Sequence, residues 1–127
     1  MSAQRTILKY PIVWTVNLSQ PIFVGDFRHI EITAVGTGNI QVLATKDFNP
    51  SAGNPSGEPV DFSAPSTIGN SYAPIVIADE TVANSYVTTL AVAGTKIGEV
   101  NTNFVGWISV SRSIDTVDAF ITVADNI

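Results

Sequence analysis

The stretch HIEITAVGTGNIQVLA, residues 29–44, carries the strongest structural signal in the chain. Its first half alternates apolar residues such as Ile30 and Ile32 with other residues, and its second half resumes the alternation through Val42. Alternation with a period of two is typical of a strand that buries one face. Between the halves, residues 36–39 (GTGN) tolerate positive φ and are typical of a tight turn. The stretch therefore predicts a β-hairpin with one buried face.

Similar alternation extends outward from this stretch in both directions. Residues 12–18 alternate before it, and residues 104–110 and 117–123 are predicted to form a terminal hairpin around a turn at 113–116. Leu, Lys, Glu and Arg, the ordinary helix-forming residues, are scarce, whereas Thr, Val and Ile recur throughout. We therefore predict an all-β protein, a two-sheet antiparallel sandwich of jelly-roll type with about 8–9 strands. A small barrel is the alternative.

A segment rich in proline and glycine, residues 47–72, interrupts the strand pattern. It contains four prolines and three glycines, which disfavour both a helix and a central strand. A loop of this length in a compact domain is usually functional or disordered. Because the segment also carries Phe48, Phe62 and other apolar residues, we expect part of it to be ordered. Neither flanking half could build a core alone, so residues 1–127 are predicted to form a single β-sandwich domain.

The composition narrows the classes of partner. Charged residues make up 13% of the chain, against about 25% in an ordinary domain, and the net charge is −5. The lysines and arginines form no basic run, so we predict no nucleic-acid partner and no binding to membranes. No apolar run suits a membrane-spanning helix or a secretory signal. A surface of small polar residues is easily desolvated and favours assembly, although a sandwich with a merely neutral surface would have the same composition.

The residues that usually carry chemistry are sparse. His29 is the single histidine, it falls on the outward face of a predicted strand, and the chain has no cysteine. A transition-metal site is therefore nearly excluded. The candidate ligands for calcium are carboxylates in or near loops, namely Asp47, Asp61, Asp79 and Glu80. These acids show no calcium-loop spacing and are typical of turns. We predict that the protein is not an enzyme and has no catalytic residues, no metal site and no cofactor.

The aromatic residues are the best candidates for a binding surface. Trp14 falls in phase with Ile12 and Val16 and is predicted to pack in the core. If a hairpin pairs Arg112 with Val117, two aromatic residues of the terminal strands become diagonal neighbours on an outward face. The predicted interface residues are Trp107, Phe120, Phe48, Phe62 and Tyr72. In the alternative, the 47–72 segment folds over this face or the face is itself the core.

Two stretches carry a resemblance to a known group of proteins. They are residues 22–30 leading into 38–47 (IFVGDFRHI and GNIQVLATKD), and residues 104–111 (FVGWISVS). In these stretches the chain resembles small jelly-roll or β-sandwich proteins of tailed-phage virions, a group that includes capsid decoration (cement) proteins. The shared features are architectural patterns rather than motifs of catalytic residues.

The resemblance implies a virion structural protein that is assembled in the host cytoplasm. As a capsid decoration subunit it would stabilise the shell by bridging neighbouring capsid proteins. Its partners would be the major capsid protein or other virion proteins, and it would form a homo-oligomer, with a trimer favoured. A tail-fibre or receptor-binding module and a carbohydrate-binding module are the alternatives, the latter because exposed Tyr10, Tyr72, Tyr86 and Trp107 could form a glycan platform.

Overall fold

The computed structural model describes residues 5–25, 27–45, 62, 72–101 and 105–126. These residues form eleven β-strands and no helix, which confirms the prediction of an all-β fold. Within the described part of the chain, no helix is long and apolar enough to cross a membrane. The strands are β1 (Arg5–Pro11), β2 (Trp14–Thr15), β3 (Leu18–Ser19), β4 (Ile22–Phe23), β5 (His29–Thr45), β6 (Ala73–Pro74), β7 (Ile77–Asp79), β8 (Ser85–Val87), β9 (Leu90–Val100), β10 (Trp107–Arg112) and β11 (Val117–Asn126).

The 17-residue strand β5 is the spine of an open antiparallel sheet. One of its edges pairs with β9 from Ile30 opposite Val100 to Ile40 opposite Leu90. The predicted hairpin turn at 36–39 is therefore wrong, because β5 continues through it.

The other edge of β5 pairs with β11 along its first half and with β10 along its second half. Val117 lies opposite Gly36 in the first ladder, and Arg112 lies opposite Ile40 in the second. The predicted terminal hairpin is therefore wrong, because β10 and β11 follow one another along β5 instead of pairing together. The intervening turn is fixed to β5 at both ends, through hydrogen bonds of 2.9 Å from Ser113 N to Asn39 O and 3.1 Å from Thr37 N to Thr116 O.

One main core lies on a single face of the sheet. Even-numbered positions of β5 point into it from end to end, including Ile30, Ile32, Ile40 and Val42, all fully buried. The predicted alternation of this stretch is thus confirmed, although its turn is not. The same core takes alternate side chains from the neighbouring strands: Leu90, Val92, Val100, Ile108, Val110, Val117, Ala119, Ile121 and Val123. Backbone pairing joins all the described strands into one sheet, and the division into two jelly-roll sheets stays a prediction.

The second half of β5 is buried on its outer face as well. Leu43 and Thr45 point away from the main core, yet both are at most 8% exposed. Beside them on β10, Ser109 is fully buried, and its hydroxyl donates to Ser19 O at 2.8 Å. Ser19 Oγ in turn accepts the Val110 amide at 2.8 Å, so the polar groups at this covered face are paired. Three of the predicted interface residues meet at this covered face.

Candidate functional site

A cluster of apolar and aromatic side chains covers the outer face of β10 and the end of β5. We call Leu18, Leu43, Phe62, Tyr72 and Trp107 the aromatic cluster. The ring centres of Phe62 and Tyr72 are 5.1 Å apart and tilted by 44°. Trp107 also meets Phe23 edge-on, with ring centres 5.3 Å apart, in the geometry that aromatic pairs prefer.

The cluster brings together three of the five predicted interface residues, namely Phe62, Tyr72 and Trp107. Phe62 is only 3% exposed, so this residue of the 47–72 segment is packed down over the sheet. The alternative that the segment covers Trp107 is therefore confirmed at Phe62. Phe48 lies outside the described residues. The role of these residues in an interface stays a prediction.

Phe120 lies apart from the aromatic cluster. It pairs with Thr33 in the first half of β5, whereas Trp107 pairs with Thr45 at the strand's end. The predicted diagonal contact between Phe120 and Trp107 is wrong, because it depended on the terminal hairpin. Phe120 is half-buried, and Lys9 Nζ lies 4.0 Å above its ring centre in a cation–π contact.

Carboxylates gather on the outer face of the sheet's first half. Glu31 and Glu99 are cross-strand partners on β5 and β9. His29 is exposed, as predicted, and its Nδ1 atom lies 3.7 Å from Glu99 Oε1. Desolvation raises the pKa of the Glu80 carboxyl above its ordinary 4.5, and the charges of Glu31 and Glu99 raise it further. This face therefore concentrates negative charge.

A partly buried ion pair joins β9 to the end of β7. Lys96 Nζ donates to Asp79 Oδ2 at 2.9 Å and to Thr81 Oγ1 at 2.8 Å. Thr81 gives Asp79 Oδ1 two further hydrogen bonds, from its amide at 2.9 Å and from its hydroxyl at 2.6 Å. The Lys96 hydrogen bond, followed by the Thr81 side chain, holds the pKa of Asp79 below its ordinary value. These contacts hold Asp79 at the start of the turn between β7 and β8.

A second polar network fixes the β2–β3 hairpin to the rest of the sheet. Arg112 Cζ lies 4.1 Å from the ring centre of Trp14, and Trp14 Nε1 donates to Asp118 Oδ1 at 2.8 Å. The Trp14 hydrogen bond lowers the pKa of the Asp118 carboxyl. Arg112 also donates to Val16 O at 2.9 Å and to Val117 O at 3.1 Å. Trp14 packs partly against the main core, which confirms its prediction.

Sequence reasoning missed the turn at residues 16–17. The alternation of residues 12–18 predicts Val16 on the buried face with Trp14, but Val16 is 79% exposed and has a φ of 58°. A Val-Asn pair carries none of the Gly-containing turn signals, so the sequence offers little warning of the reversal. In the structure, a hydrogen bond from Arg112 to Val16 O holds the chain in this turn.

Open grooves lie at the surface of the described residues. In the described ranges, no group of three or more His, Asp or Glu side chains is placed to hold a metal ion. A groove of about 350 Å³ lies at the His29 end of the sheet, and another of about 470 Å³ lies beside Trp14 and Val16. Both grooves are open to solvent and have apolar residues in their walls.

Comparison with known proteins shows the fold. No protein-family model matches the sequence, and a search of curated proteins finds no match. The structure is similar to SPBc2 prophage-derived protein YomS, with a TM-score of 0.68, 10% identity and 98% of each chain covered. It is also similar to PBSX exported protein XepA, with a TM-score of 0.64, 10% identity and 98% of this chain covered. The chain spans 40% of that XepA chain. The first of these proteins is described as prophage-derived and the second as exported.

Proposed function

We propose that the chain is a structural subunit of a phage or prophage-derived particle, and specifically a capsid decoration protein that bridges neighbouring capsid subunits. The observation that carries this proposal is the similarity to a prophage-derived protein over nearly the full length of both chains. At 10% identity the shared feature is the fold, so the role rests on the fold together with the surface chemistry.

The mechanism is passive association. The long β5–β9 ladder and the buried core make the subunit a rigid body. Its surface has few charged groups to desolvate, because charged residues are only 13% of the chain. Apolar side chains remain exposed on it, including Ile7 at 60% and Val13 at 64%. Burial of such side chains against capsid subunits adds association free energy without any reaction.

One observation favours a second candidate, an exported phage-encoded protein that is not part of the particle. The similar structure of XepA is described as an exported protein. A carbohydrate-binding module has less support, because its four aromatic residues do not share one platform. Tyr72 and Trp107 belong to the aromatic cluster, Tyr10 packs against the main core, and Tyr86 stands on β8.

The test is the location of the protein after particle production. The gene is tagged in the phage or lysogen that encodes it, particles are induced, and heads, tails and medium are separated on a density gradient. We expect the chain on DNA-filled heads, in a fixed ratio to the major capsid protein. Heads from a deletion strain should release DNA at a lower temperature and regain stability when purified protein is added.

The other outcomes of this experiment are equally informative. Recovery of the chain on tails would replace the capsid role with a tail role. Recovery only in the medium, with particles that lack the chain and keep their heat stability, would overturn the particle proposal and favour the exported candidate.

A further inference from the structure

Strand β1 is attached to the sheet along one ladder. It pairs with β11 from Arg5 opposite Asn126 to Pro11 opposite Phe120, and it has no other strand partner among the described residues. β11 lies between β1 and β5, so β1 is the outermost described strand on this side of the sheet. The pairing of every other described strand is therefore independent of β1.

The side chains of β1 contribute little to the main core. Ile7 is 60% exposed, Leu8 is 40% exposed, and Lys9 also faces solvent. Among residues 7–11, Tyr10 alone packs partly against the main core. Hydrophobic stabilisation is proportional to the apolar area removed from water. Release of β1 would therefore sacrifice little of the hydrophobic stabilisation of the fold.

The edge that receives β1 is held in place from its other side. β11 pairs with β5 from Val117 opposite Gly36 to Ala124 opposite His29. Its alternate residues Val117, Ile121 and Val123 are fully buried in the main core. If β1 leaves, backbone N–H and C=O groups along this edge lose their partners, and such a row pairs readily with another strand. The β11 edge is thus a preformed site for a strand with the sequence of β1.

The connection from β1 to the rest of the fold is short and fixed at its far end. Only Ile12 and Val13 separate β1 from β2. The Val13 amide donates to Gln20 Oε1 at 2.9 Å, and the Gln20 amide donates to Val13 O at 3.2 Å. The ring of Pro11 restricts φ at the end of β1. A short, restrained hinge of this kind favours the exchange of an element between copies.

We propose that two copies of this chain exchange β1, so that β1 of each copy pairs with β11 of the other. The structure identifies the partner strand, because the exchanged pair repeats the β1–β11 ladder of the single chain. The contact of Lys9 Nζ with the Phe120 ring is formed again as well. Exchange of an identical element is a low-cost route to a dimer, since the contacts outside the hinge are unchanged.

The exchange goes beyond the capsid role proposed above, because it involves this chain alone. A chain that exchanges β1 but is absent from heads would overturn only the capsid assignment. A chain that is present on heads without exchanging β1 would overturn only the exchange.

The first experiment locks β1 to its own chain and measures dimer formation. Lys9→Cys with Thr122→Cys places cysteines at paired positions in a chain that has none of its own. The variant is oxidised while dilute, then unfolded and refolded at high concentration without reductant. It should be monomeric by light scattering, whereas wild type refolded in the same way should be dimeric. Ile7→Cys with Ala124→Cys provides a second lock on the same ladder.

The matched control locks two strands that do not exchange. Val35→Cys with Thr95→Cys joins β5 to β9 at paired, exposed positions. After the same oxidation and refolding, this variant should dimerise like wild type. A loss of dimers restricted to the two β1 locks then reports on the strand and not on the presence of a disulfide.

A mixing experiment identifies the strand contact within the dimer. A chain with Lys9→Cys and a second chain with Thr122→Cys are refolded together at high concentration and then oxidised. The disulfide between them should be at least about tenfold more abundant than the disulfide formed when Lys9→Cys is mixed with Tyr86→Cys, because paired strands hold the thiols at high effective concentration. Tyr86 is 71% exposed on β8 and supplies an accessible position away from the ladder.

Three results would overturn the proposal. The first is a wild-type chain that is monomeric at every concentration after refolding. The second is a chain locked at β1 that dimerises as well as wild type. The third is a disulfide between the Lys9→Cys and Thr122→Cys chains that is no more abundant than the disulfide of the Tyr86→Cys control.

Discussion

At the scale of single residues, the pKa values of two adjacent carboxyl groups are shifted in opposite directions by their surroundings. Asp79 is 8% exposed and bonded to Lys96 and Thr81, which lowers its pKa. Partial desolvation and the nearby carboxylates of Glu31 and Glu99 raise the pKa of Glu80, the next residue. Asp79 ends β7 and Glu80 begins the turn that follows, and the groups around each carboxyl set the sign of its shift.

Asp79 should make stability depend on pH in the acid range. A carboxyl whose folded pKa is below its ordinary 3.8 stabilises the fold above that pH, and the stabilisation is lost as the pH falls through the folded value. Asp79→Asn should therefore lower the free energy of unfolding at neutral pH, with a difference from wild type that shrinks below pH 3.8. Chemical denaturation across this range measures it.

The control for this prediction is Asp115→Asn in an exposed turn. It should change the free energy of unfolding by about 0.5 kcal/mol or less, as surface substitutions usually do. A deficit of Asp79→Asn that stays the same down to the lowest pH at which the protein folds would contradict the assignment of a lowered pKa.

At the scale of elements, two glycines of β5 have positive φ without reversing the strand. Gly36 and Gly38 have φ values of 119° and 155°, in the region that favours glycine. Gly36 also lies against the turn between β10 and β11, where an added Cβ would overlap the carbonyl oxygen of Thr116. The sequence GTGN therefore marks a close backbone approach within a continuous strand. Glycine serves both a hairpin turn and a close approach inside a strand, so the sequence does not distinguish the two.

The pair Gly36→Ala and Gly94→Ala should separate conformational strain from steric overlap. Both glycines have positive φ, but a Cβ at Gly94 has nothing within 4 Å, whereas one at Gly36 meets the backbone of Thr116 and Val117. We expect Gly94→Ala to cost about 1 kcal/mol and Gly36→Ala to cost about 2 kcal/mol more, measured by chemical denaturation. Equal costs would show that the turn between β10 and β11 yields easily and is not fixed to β5.

At the scale of the whole molecule, the two halves of the sheet differ in how many of their faces are covered by side chains. The second half is covered on both faces, by the main core and by the aromatic cluster. The first half presents an outer face with Glu31, Glu99 and the half-buried Phe120. The covered half packs against Phe62 of the proline-rich segment, while the outer face of the first half carries exposed charged groups.

Phe62→Ala tests whether this covering belongs to the cooperative fold. Phe62 is 3% exposed and packs with Leu43, Tyr72 and Trp107, so its truncation should destabilise the protein by about 3 kcal/mol. Thermal unfolding followed by tryptophan fluorescence and by circular dichroism should shift together. A loss of the fluorescence signal alone, with an unchanged unfolding midpoint of the strands, would show that the aromatic cluster unfolds separately.

The sequence by itself determined the all-β class and the buried face of β5, because period-two alternation is a local property that the backbone imposes on any half-buried strand. Half-buried Trp14 and exposed His29 followed from the same rule. Only the tertiary structure decided that residues 36–39 continue the strand instead of forming a turn, since both edges of β5 are occupied by strands from the distant C-terminal half. It also decided that Trp107 meets Phe62 and not Phe120, and that Val16 points outward, because these depend on register and on Arg112, which is far from Val16 in sequence.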